Sequence, residues 1–357
     1  MTNNHRLTFD SKTGSAFVEM HSASQAKHQA KPPKQLIYIS GCGHSGSTLL
    51  DMMLGGNDCI SSLGEVHRLT MNACAKTDFK LHRCTCGAEI HDCPFWQKVS
   101  FELQALLGVQ DTGIFKRHRI TEARNLELDD TDQAWEPRST GRGLFHPRLL
   151  NIAIGIGNPA VWNLLAQSNS EVRAYRQLIR NSVDVYEAVR IAWDTPIVID
   201  STKNPVRLQG FNMESVPGLK VLYLMRDGRA VCYSRMRRHK VSMDVAARVW
   251  KSEHTKQKIV HRTMRNTPFL RTSYEDLCRN PVTELQRICS WMGVEFQPLM
   301  LDFRTNRHNL GGNPMRSRQQ ETAIKLDERW RRELTKDDLA VFEKIGGELN
   351  RSLGYNR

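Results

Sequence analysis

Short apolar runs, each followed by glycine or polar residues and then by a helical pattern, recur along the chain. Such runs are typical of strands that are buried on both faces of a sheet. Four of them are predicted as strands: LIYIS (36–40), PIVID (196–200), KVLYLM (220–225) and PFLRTSY (268–274). Because helical patterns alternate with these strands, the sequence predicts an α/β fold in which a parallel sheet is flanked by helices. The glycines at 41, 43 and 46, between the first strand and the next helical pattern, make this sheet P-loop-like.

Two stretches interrupt or precede this alternation. Residues 98–195 are mainly helix-patterned, and we interpret them as a helical insertion within one domain rather than as a second domain. Residues 1–34 are polar and lack periodicity, so a disordered leader is expected before a single domain that spans 35–357. Within that domain, residues 70–97 are rich in cysteine and are predicted to form a loop.

Charge and composition narrow the range of partners. The 357 residues include 51 Lys and Arg against 38 Asp and Glu, a net charge of +13, which favours nucleic acid, acidic lipid or compounds that carry phosphate or sulfate. No apolar run approaches the roughly 20 residues that cross a bilayer, and residues 1–20 lack the apolar core of a secretory signal. A cytoplasmic location is therefore expected, with the nine cysteines as reduced thiols.

The stretch SGCGHSGSTLLDMML (40–54) places a glycine-rich loop between a predicted strand and a predicted helix. The backbone N–H groups of such a loop, together with the helix dipole, attract a small anion. Gly41, Gly46 and Thr48 fit the spacing of the nucleotide-binding pattern G-x-x-x-x-G-K-[ST], but Ser47 stands where that pattern has lysine. Without the lysine, ATP hydrolysis loses much of its electrostatic stabilisation, whereas a less charged sulfuryl group can be held by N–H and hydroxyl groups.

The stretch LMRDGRAVCYSRMRR (224–238) follows another predicted strand. Arg226 lies just after the strand, and Ser234 lies about two turns up the following helix. An arginine fork and a hydroxyl that converge in this way suit a phosphate group. Taken alone, the stretch fits a solvated basic helix capped by Asp227 equally well.

Together, HSGST (44–48) and RDGRAVCYS (226–234) resemble two motifs of the sulfotransferases that use 3′-phosphoadenosine-5′-phosphosulfate (PAPS). In that family the first motif holds the 5′-phosphosulfate and the second holds the 3′-phosphate. RTSYEDLCRNP (271–281) and HNLGGNPMR (308–316) resemble later segments of the family. The resemblance implies that PAPS binds, with no metal required, to the following residues: Gly43, His44, Ser45, Gly46, Ser47, Thr48, Arg226, Ser234, Tyr274 and Arg316. Arg316 would be a second contact of the 3′-phosphate, and Lys325 and Trp330 are further candidates near the cofactor.

The catalytic residues that the resemblance implies are closest to those of the tyrosylprotein sulfotransferases. Gly64–Glu65 matches a G-E motif, and Lys203–Asn204–Pro205 matches a K-x-P segment after a strand. By this likeness Glu65 is the general base, and Lys203 stabilises the transition state of an in-line transfer to an acceptor hydroxyl. The chain departs from the family at His44, where lysine or arginine is usual. We assign His44 to the leaving group, with an approach to the acceptor hydroxyl as the alternative.

The stretch KLHRCTCGAEIHDCPFW (80–96) and the residues before it hold a group of thiols and imidazoles: Cys74, Cys84, Cys86, Cys93, His82 and His91. The C-x-C spacing is a poor match to the C-x₂₋₄-C pairs of zinc sites. We therefore interpret the cysteines as buried thiols in a compact loop and assign no residue to a metal. Structural zinc remains the alternative.

Two other function classes stay open on sequence alone. A P-loop kinase or NTPase that has lost its lysine would bind Mg²⁺ with ATP or GTP. A basic nucleic-acid-binding protein would need basic residues interleaved with exposed aromatic residues. Much of the basic surplus lies in 226–240 and 304–332, which the PAPS interpretation already uses, so no nucleic acid is expected. The acceptor, whether carbohydrate, peptide tyrosine, lipid or small molecule, stays open, as does the oligomeric state.

Overall fold

The structure is a computed structural model that describes residues 33–74, 83–120, 155–304, 308–311, 316 and 323–356, together with two short strands nearer the N-terminus. The chain divides into two units, Met1–Lys31 and Pro32–Arg357. In the first unit, β1 (Thr8–Phe9) and β2 (Ala16–Phe17) pair antiparallel. The remainder of residues 1–32, where a disordered leader is predicted, lies outside the described residues.

The second unit is built on a five-stranded sheet: β3 (Gln35–Gly41), β4 (Ile60–Ser62), β5 (Ile197–Asp200), β6 (Leu219–Met225) and β7 (Phe269–Ser273). The strand order is β4-β5-β3-β6-β7, and every neighbouring pair is parallel. The predicted α/β fold with a parallel sheet is therefore confirmed, and all four predicted strands are present. The additional strand, β4, is three residues long, which is too short for a periodic pattern to reveal.

Helices flank the sheet, and within the described residues they are α1 (Ser47–Leu54), α2 (Leu69–Cys74), α3 (Pro94–Leu107), α4 (Ile114–Arg117), α5 (Pro159–Ser168), α6 (Ser170–Trp193), α7 (Pro205–Met213), α8 (Gly228–His239), α9 (Met243–Thr263), α10 (Tyr274–Arg279), α11 (Pro281–Met292), α12 (Trp330–Glu333) and α13 (Lys336–Ser352). Short 3₁₀ helices lie at Val66–Arg68 and Pro298–Leu301. No helix of the described ranges is both long and apolar enough to cross a membrane.

Two predicted intervals can be compared with these helices. The stretch 98–195, expected to be mainly helical, contains α4, α5, α6 and most of α3, while its residues 121–154 lie outside the described part of the chain. The stretch 70–97, expected to be a loop, is helical at both ends, because α2 continues to Cys74 and α3 begins at Pro94. Between these helices, the description resumes at residue 83.

Alternating side chains of the strands form two hydrophobic cores, one on each face of the sheet. On one face, Leu36 and Tyr38 pack with buried residues of α3, α6 and α7. On the other face, Ile37 and Ile39 pack with buried residues of α1, α10 and α11. A third cluster, which includes Trp250, joins α8, α9 and α13. Because both faces are covered, a ligand is expected at the edge where the strands end.

The carboxyl ends of three strands meet at this edge. Gly41 at the end of β3 pairs with Leu224 of β6, and Tyr38 of β3 pairs with Asp200 at the end of β5. Since β3 lies between β5 and β6, the loops that follow these strands leave the sheet side by side. These three loops carry the glycine-rich motif, the K-x-P segment and the R-D-x-R motif, which the fold therefore brings together.

Candidate active site

The loop after β3 leads directly into α1. Gly46 is the N-cap residue of α1 with a left-handed φ of 91°, and no described side chain caps the helix. A Cβ at Gly46 would lie 2.4 Å from a ring carbon of Tyr274, so glycine is needed for the loop backbone to lie against that ring. The first turn of α1 contains no acidic residue. Its N–H groups are therefore available to an anion.

The predicted loop hydroxyls are buried. Ser45 donates a hydrogen bond of 2.7 Å to a carbonyl oxygen within the loop and so stabilises the turn. Ser47 and Thr48 are the first two residues of α1, and both are buried. A Cβ at Gly43 would lie 3.4 Å from Nη2 of Arg235, so the loop also passes close to that guanidinium group. The predicted loop residues thus form one compact turn beside a cation.

His44 connects the two motifs that are predicted to bind the donor. Its carbonyl oxygen accepts a hydrogen bond of 2.9 Å from Arg226. Its ring nitrogen Nδ1 lies 3.2 Å from the hydroxyl oxygen of Ser234, and Nε2 lies 3.3 Å from Nε2 of His239. Arg226 and Ser234, which are predicted to bind the 3′-phosphate, therefore contact the glycine-rich loop through His44.

The surroundings of His44 keep its imidazole neutral. Burial lowers the pKa of His44, and Arg235, His239, Arg226 and Lys203 lower it further, to about 3. At neutral pH the ring carries one N–H and no charge, so it does not supply the charge of a lysine or arginine. The positive potential that lowers this pKa also favours an anion beside the loop.

Arg226 is buried and has contacts on several sides. Its guanidinium carbon lies 4.2 Å from the ring centroid of Tyr274, and Nη2 donates a hydrogen bond of 3.3 Å to the carbonyl oxygen of Asp327. The hydroxyl of Tyr274 in turn donates to the carbonyl oxygen of Lys325 at 3.3 Å. Nε of Arg226 has no hydrogen-bond partner among the described residues. A buried guanidinium N–H without an acceptor is costly, and a bound phosphate would satisfy it.

Glu65 and Lys203, the predicted catalytic pair, are in contact. The two residues follow β4 and β5, which are neighbouring strands of the sheet. Nζ of Lys203 donates a hydrogen bond of 2.8 Å to Oε1 of Glu65 and another of 2.9 Å to the carbonyl oxygen of Ser201. The backbone N–H of Glu65 donates to the carbonyl oxygen of Leu310 at 2.8 Å. The turn that carries Glu65 is therefore held by a segment far away in sequence.

Cations around Glu65 decide its charge. Burial raises the pKa of Glu65, but Lys203, His67 and Arg68 outweigh burial and lower this pKa to about 2. Glu65 is therefore a carboxylate at neutral pH, as a general base must be. Its basicity stays low for as long as Lys203 is bonded to it, because the ion pair favours the charged form.

Gln257 belongs to none of the sequence motifs and ties two of the loops together. It lies on α9, and its Nε2 donates hydrogen bonds to the carbonyl oxygens of Gly41, at 3.0 Å, and Lys203, at 2.9 Å. Its Oε1 accepts a hydrogen bond from Ser40. Gln257 is buried and shares a helix face with Trp250. A polar residue within the apolar stripe of a helix is the sequence signal that could have found it.

Arg316, predicted to bind the 3′-phosphate, contacts α1 and the turn before Glu65. Its Nη2 lies 3.3 Å from Oδ2 of Asp51, a buried residue of α1. Asn309 donates a hydrogen bond of 3.1 Å to the same oxygen. A Cβ at Gly64 would lie 2.1 Å from Nη1 of Arg316, so the guanidinium lies against that backbone. These contacts support the turn, and contact between Arg316 and a 3′-phosphate stays a prediction.

The cysteine stretch brings together residues that are distant in sequence. The sulfur atoms of Cys84, Cys86 and Cys93 and a ring nitrogen of His308 all lie within 4.8 Å of one another. His91, which belongs to the same stretch, instead pairs with two neighbouring carboxylates. Two residues of the predicted group lie outside the described side chains: Cys74 and His82. The fourth member, His308, comes from the segment 308–311 and is not apparent from the cysteine spacing.

Comparisons with known proteins address the family and the fold. The model of the sulfotransferase family matches residues 36–298. The sulfotransferase domain of an olefin synthase from Synechococcus PCC 7002 has 19% sequence identity and a TM-score of 0.50, with 92% of this chain and 97% of that chain covered. The sulfotransferase domain from the curacin biosynthetic pathway has 16% identity and a TM-score of 0.43, with 92% of this chain and 99% of that chain covered.

A sulfotransferase from Alicyclobacillus acidocaldarius has 13% identity and a TM-score of 0.32, with 88% of this chain and 95% of that chain covered. No curated protein matches the chain significantly. The similarity to the olefin synthase domain supports the fold. The family match extends from β3 beyond α11 and includes Glu65, Lys203 and Arg226. The chain therefore belongs to the sulfotransferase family.

Proposed function

We propose that the protein transfers a sulfuryl group from PAPS to an acceptor hydroxyl, with Glu65 as the general base. Membership in the sulfotransferase family supports the reaction class. The observation that supports PAPS as the donor and Glu65 as the base is the convergence of the motifs around the glycine-rich loop. His44 contacts Arg226 and Ser234, and Gln257 joins the end of β3 to the backbone of Lys203.

The donor is proposed to bind along the glycine-rich loop and the start of α8. The N–H groups at the start of α1 suit the 5′-phosphosulfate, because a helix N-terminus attracts negative charge. Arg226 and Ser234 suit the 3′-phosphate, and the buried Nε of Arg226, which has no described acceptor, supports this assignment. A bound anion would also offset the positive potential that lowers the pKa of His44.

The chemistry of the loop favours PAPS over ATP as the donor. Ser47 stands where an NTPase has the lysine that offsets charge on the terminal phosphates. A sulfuryl group carries less charge than a terminal phosphoryl group, so N–H and hydroxyl groups suffice to hold it. We therefore assign no metal ion to the transfer step.

The proposed reaction is an in-line displacement at sulfur. The acceptor oxygen attacks as the bond between sulfur and the bridging oxygen breaks, and Glu65 accepts the hydroxyl proton. The products are a sulfate ester and 3′-phosphoadenosine-5′-phosphate (PAP). Lys203, neutral His44 and the loop N–H groups stabilise the charge that develops on the leaving oxygen and on the sulfuryl oxygens. General-base catalysis by Glu65 contributes about 10²–10⁴-fold to such a reaction.

The ion pair between Glu65 and Lys203 couples the base to the donor. While Lys203 is bonded to Glu65, the pKa of Glu65 stays at about 2. A sulfuryl oxygen offers Lys203 a second negative partner, and a shift of Nζ towards it raises the pKa of Glu65 towards its usual range. Glu65 then becomes an effective base when the donor is in place.

Binding of PAP tests the donor site. We expect PAP to raise the melting temperature without added metal, and Arg226→Ala to weaken PAP binding about 100-fold by removing charged hydrogen bonds. Ser234→Ala removes a single neutral hydrogen bond to the same 3′-phosphate, and it is expected to weaken PAP binding about fivefold. Arg248→Ala is the matched control, since Arg248 is exposed and pairs with Asp244 on the outside of α9. Stabilisation by Mg²⁺ with ATP or GTP but not by PAP would support the kinase or NTPase alternative instead.

Transfer of radiolabelled sulfate from PAPS tests the reaction itself. Carbohydrates, tyrosine peptides, lipids and small alcohols are offered separately, and one class is expected to accept the label. A chain that binds PAP but labels none of these classes would contradict the proposed transfer to a hydroxyl group.

A further inference from the structure

Three thiols and one imidazole meet at the start of α3. Nδ1 of His308 lies 3.2 Å from the sulfur of Cys93 and 3.5 Å from the sulfur of Cys84. The sulfur of Cys86 lies 3.6 Å from that of Cys93, and all four atoms lie within 4.8 Å of one another. Cys84 and Cys93 are buried, while Cys86 is exposed. We call these four residues the cysteine cluster.

The separations in the cysteine cluster match the edges of a metal-centred tetrahedron. With zinc–sulfur bonds of about 2.3 Å and zinc–nitrogen bonds of about 2.0 Å, two sulfurs lie about 3.8 Å apart and a sulfur and a nitrogen about 3.5 Å apart. The observed separations of 3.2, 3.5 and 3.6 Å are close to these edges. A disulfide would use two of the sulfurs and would leave the convergence of the third thiol and the imidazole unexplained.

We propose that Cys84, Cys86, Cys93 and His308 bind one Zn²⁺ ion in a closed tetrahedral site. Three thiolates and a neutral imidazole form a four-coordinate set typical of structural zinc, with no open position for a substrate. Mg²⁺ and Ca²⁺ prefer oxygen ligands and do not suit this set. As the zinc–sulfur bonds form, the thiol protons are released to solvent. The cysteine spacing alone favours uncomplexed thiols because C-x-C is a poor match to zinc sites. The structure adds His308, which lies outside the cysteine stretch.

The backbone around the cysteines forms a tight turn that suits a metal site. The carbonyl oxygen of Cys84 accepts a hydrogen bond of 2.9 Å from the N–H of Gly87, and the N–H of Cys84 donates to Ala88 at 2.9 Å. Gly87, directly after Cys86, has a φ of 92°, which favours glycine. Cys93 is the N-cap residue of α3, where the helix dipole stabilises a thiolate.

His308 is oriented by contacts that do not involve a metal. Its ring stacks on Phe95 with 5.2 Å between the centroids and 13° between the planes. The neighbouring Asn309 donates its N–H to the hydroxyl of Thr85 at 3.0 Å, and its carbonyl oxygen accepts the Thr85 N–H at 3.3 Å. These contacts hold the two segments together and present the imidazole to the three sulfurs.

The proposed zinc site fastens a segment that supports Glu65. Leu310, two residues after His308, accepts the N–H of Glu65 at 2.8 Å, and its own N–H donates to the chain just after β4 at 2.9 Å. Asn309 donates a hydrogen bond of 3.1 Å to Asp51 of α1. The ion therefore acts on the reaction through the position of Glu65 rather than by contact with the substrate.

Metal analysis of the purified full chain tests this proposal without any assay of sulfotransfer or of PAP binding. After expression in zinc-supplemented medium and gel filtration, we expect about one zinc ion per chain. Cobalt in place of zinc is expected to give the visible and sulfur-to-metal charge-transfer bands of a tetrahedral thiolate site. Both measurements use the wild-type chain, so they do not depend on the folding of a variant.

Cys86→Ser is the informative variant, because Cys86 is exposed and its replacement leaves the hydrophobic core intact. Zinc affinity is measured by competition with a chelating dye. Cys86→Ser is expected to lower this affinity by more than about 100-fold relative to the wild type. Cys59→Ser is the matched control, since Cys59 is a half-buried cysteine outside the cysteine cluster. The control is expected to retain the affinity of the wild type.

Three outcomes would overturn the proposal. One is a wild-type chain that contains no zinc and takes up neither zinc nor cobalt under reducing conditions. Another is a disulfide within the cysteine cluster, detected by mass spectrometry of the protein as purified. The third is a zinc affinity of Cys86→Ser that equals that of Cys59→Ser.

Discussion

The region proposed to bind the donor, which comprises residues 40–48 and 226–239 and is called the donor region, is assembled differently from the cysteine cluster. Each part of the donor region follows a strand of the parallel sheet, and the carboxyl ends of those strands meet at one edge. In the cysteine cluster, Cys93 and His308 are 215 positions apart and come from a helix start and a loop outside the sheet. The first convergence follows from the fold class, whereas the second depends on contacts between irregular segments.

The two regions also differ in the charge of the ligand that suits them. Burial and then the cations around His44 lower its pKa to about 3, and those cations favour an anion in the donor region. The cysteine cluster gathers electron-pair donors, which favour a cation. The net charge of +13 therefore does not determine whether a given site binds an anion or a cation. The charged and polar groups within a few ångströms of the ligand determine it.

Replacing Glu65 by glutamine has the largest expected effect and separates catalysis from the donor region. The amide is nearly isosteric but cannot take the acceptor proton, so transfer is expected to fall by about 10²–10⁴-fold while PAP affinity stays within about threefold. Initial rates of radiolabelled transfer and calorimetric titration with PAP measure the two quantities. Glu348→Gln, at an exposed position of α13, is the control. If Glu65→Gln turned over at nearly the wild-type rate, Glu65 would not be the general base.

Removing zinc from the wild type tests whether the cysteine cluster and the donor region act independently. Chelation is expected to lower transfer by about 10- to 100-fold, because a shift of Glu65 by about 1 Å is enough to do so. PAP affinity is expected to stay unchanged, since Arg226 lies just after β6 and Ser234 lies on α8, away from the segment 308–311. Added zinc should restore transfer. If PAP affinity fell together with transfer while circular dichroism stayed native, the two regions would be coupled.

Protonation of His44 has a smaller expected effect and measures the combined influence of burial and of the nearby cations on its imidazole. Its pKa is about 3 in the folded chain, against an ordinary value of 6.5. Below pH 6.5 the unfolded chain binds a proton that the folded chain does not, so the free energy of unfolding falls as the pH decreases from about 6.5 towards 3. Between pH 7.5 and pH 5, the wild type is expected to lose about 2 kcal/mol more than His44→Gln.

Urea denaturation of both proteins at the two pH values measures this difference. The variant keeps the other buried histidines, so their contribution cancels in the comparison. Equal losses of stability in the two proteins would contradict a low pKa for His44.

The smallest expected effect is that of His44→Gln on PAP affinity at neutral pH. Because the imidazole is neutral, glutamine replaces one neutral N–H donor by another, and the affinity is expected to fall by no more than about fivefold. Calorimetric titration measures the change, with the wild type at the same pH as the reference. A loss of 100-fold or more would mean that His44 is charged when PAP is bound.

Sequence patterns were informative where a site follows from regular structure. The strands β3, β5, β6 and β7 are apolar runs, and the motifs after them are brought together by the order of a parallel sheet. The structure accordingly places Glu65 in contact with Lys203 and His44 in contact with Ser234. These contacts agree with roles that came from family resemblance, and the roles themselves await the measurements above.

Other features could not be predicted because no local pattern encodes them. The strand β4 is three residues long and shows no periodicity. Gln257 stands out as a polar residue in the apolar stripe of α9, but its two carbonyl partners depend on the packing of α9 against the sheet, which a single sequence does not reveal. His308 joins the cysteines through contacts between segments that lie far apart in sequence. In each case the deciding information is three-dimensional.

His44 and Lys203 share a backbone feature that has a practical consequence. Their φ angles are 65° and 66°, in the left-handed region, where a side chain costs roughly 1–2 kcal/mol relative to glycine. Backbone preference alone would therefore favour glycine at both positions, and the roles proposed for His44 and Lys203 give a reason why these side chains are present instead. Lys203→Gly would relieve this strain but would leave the carboxylate of Glu65 without its ion-pair partner, so the variant is expected to be less stable than the wild type as well as slow to react.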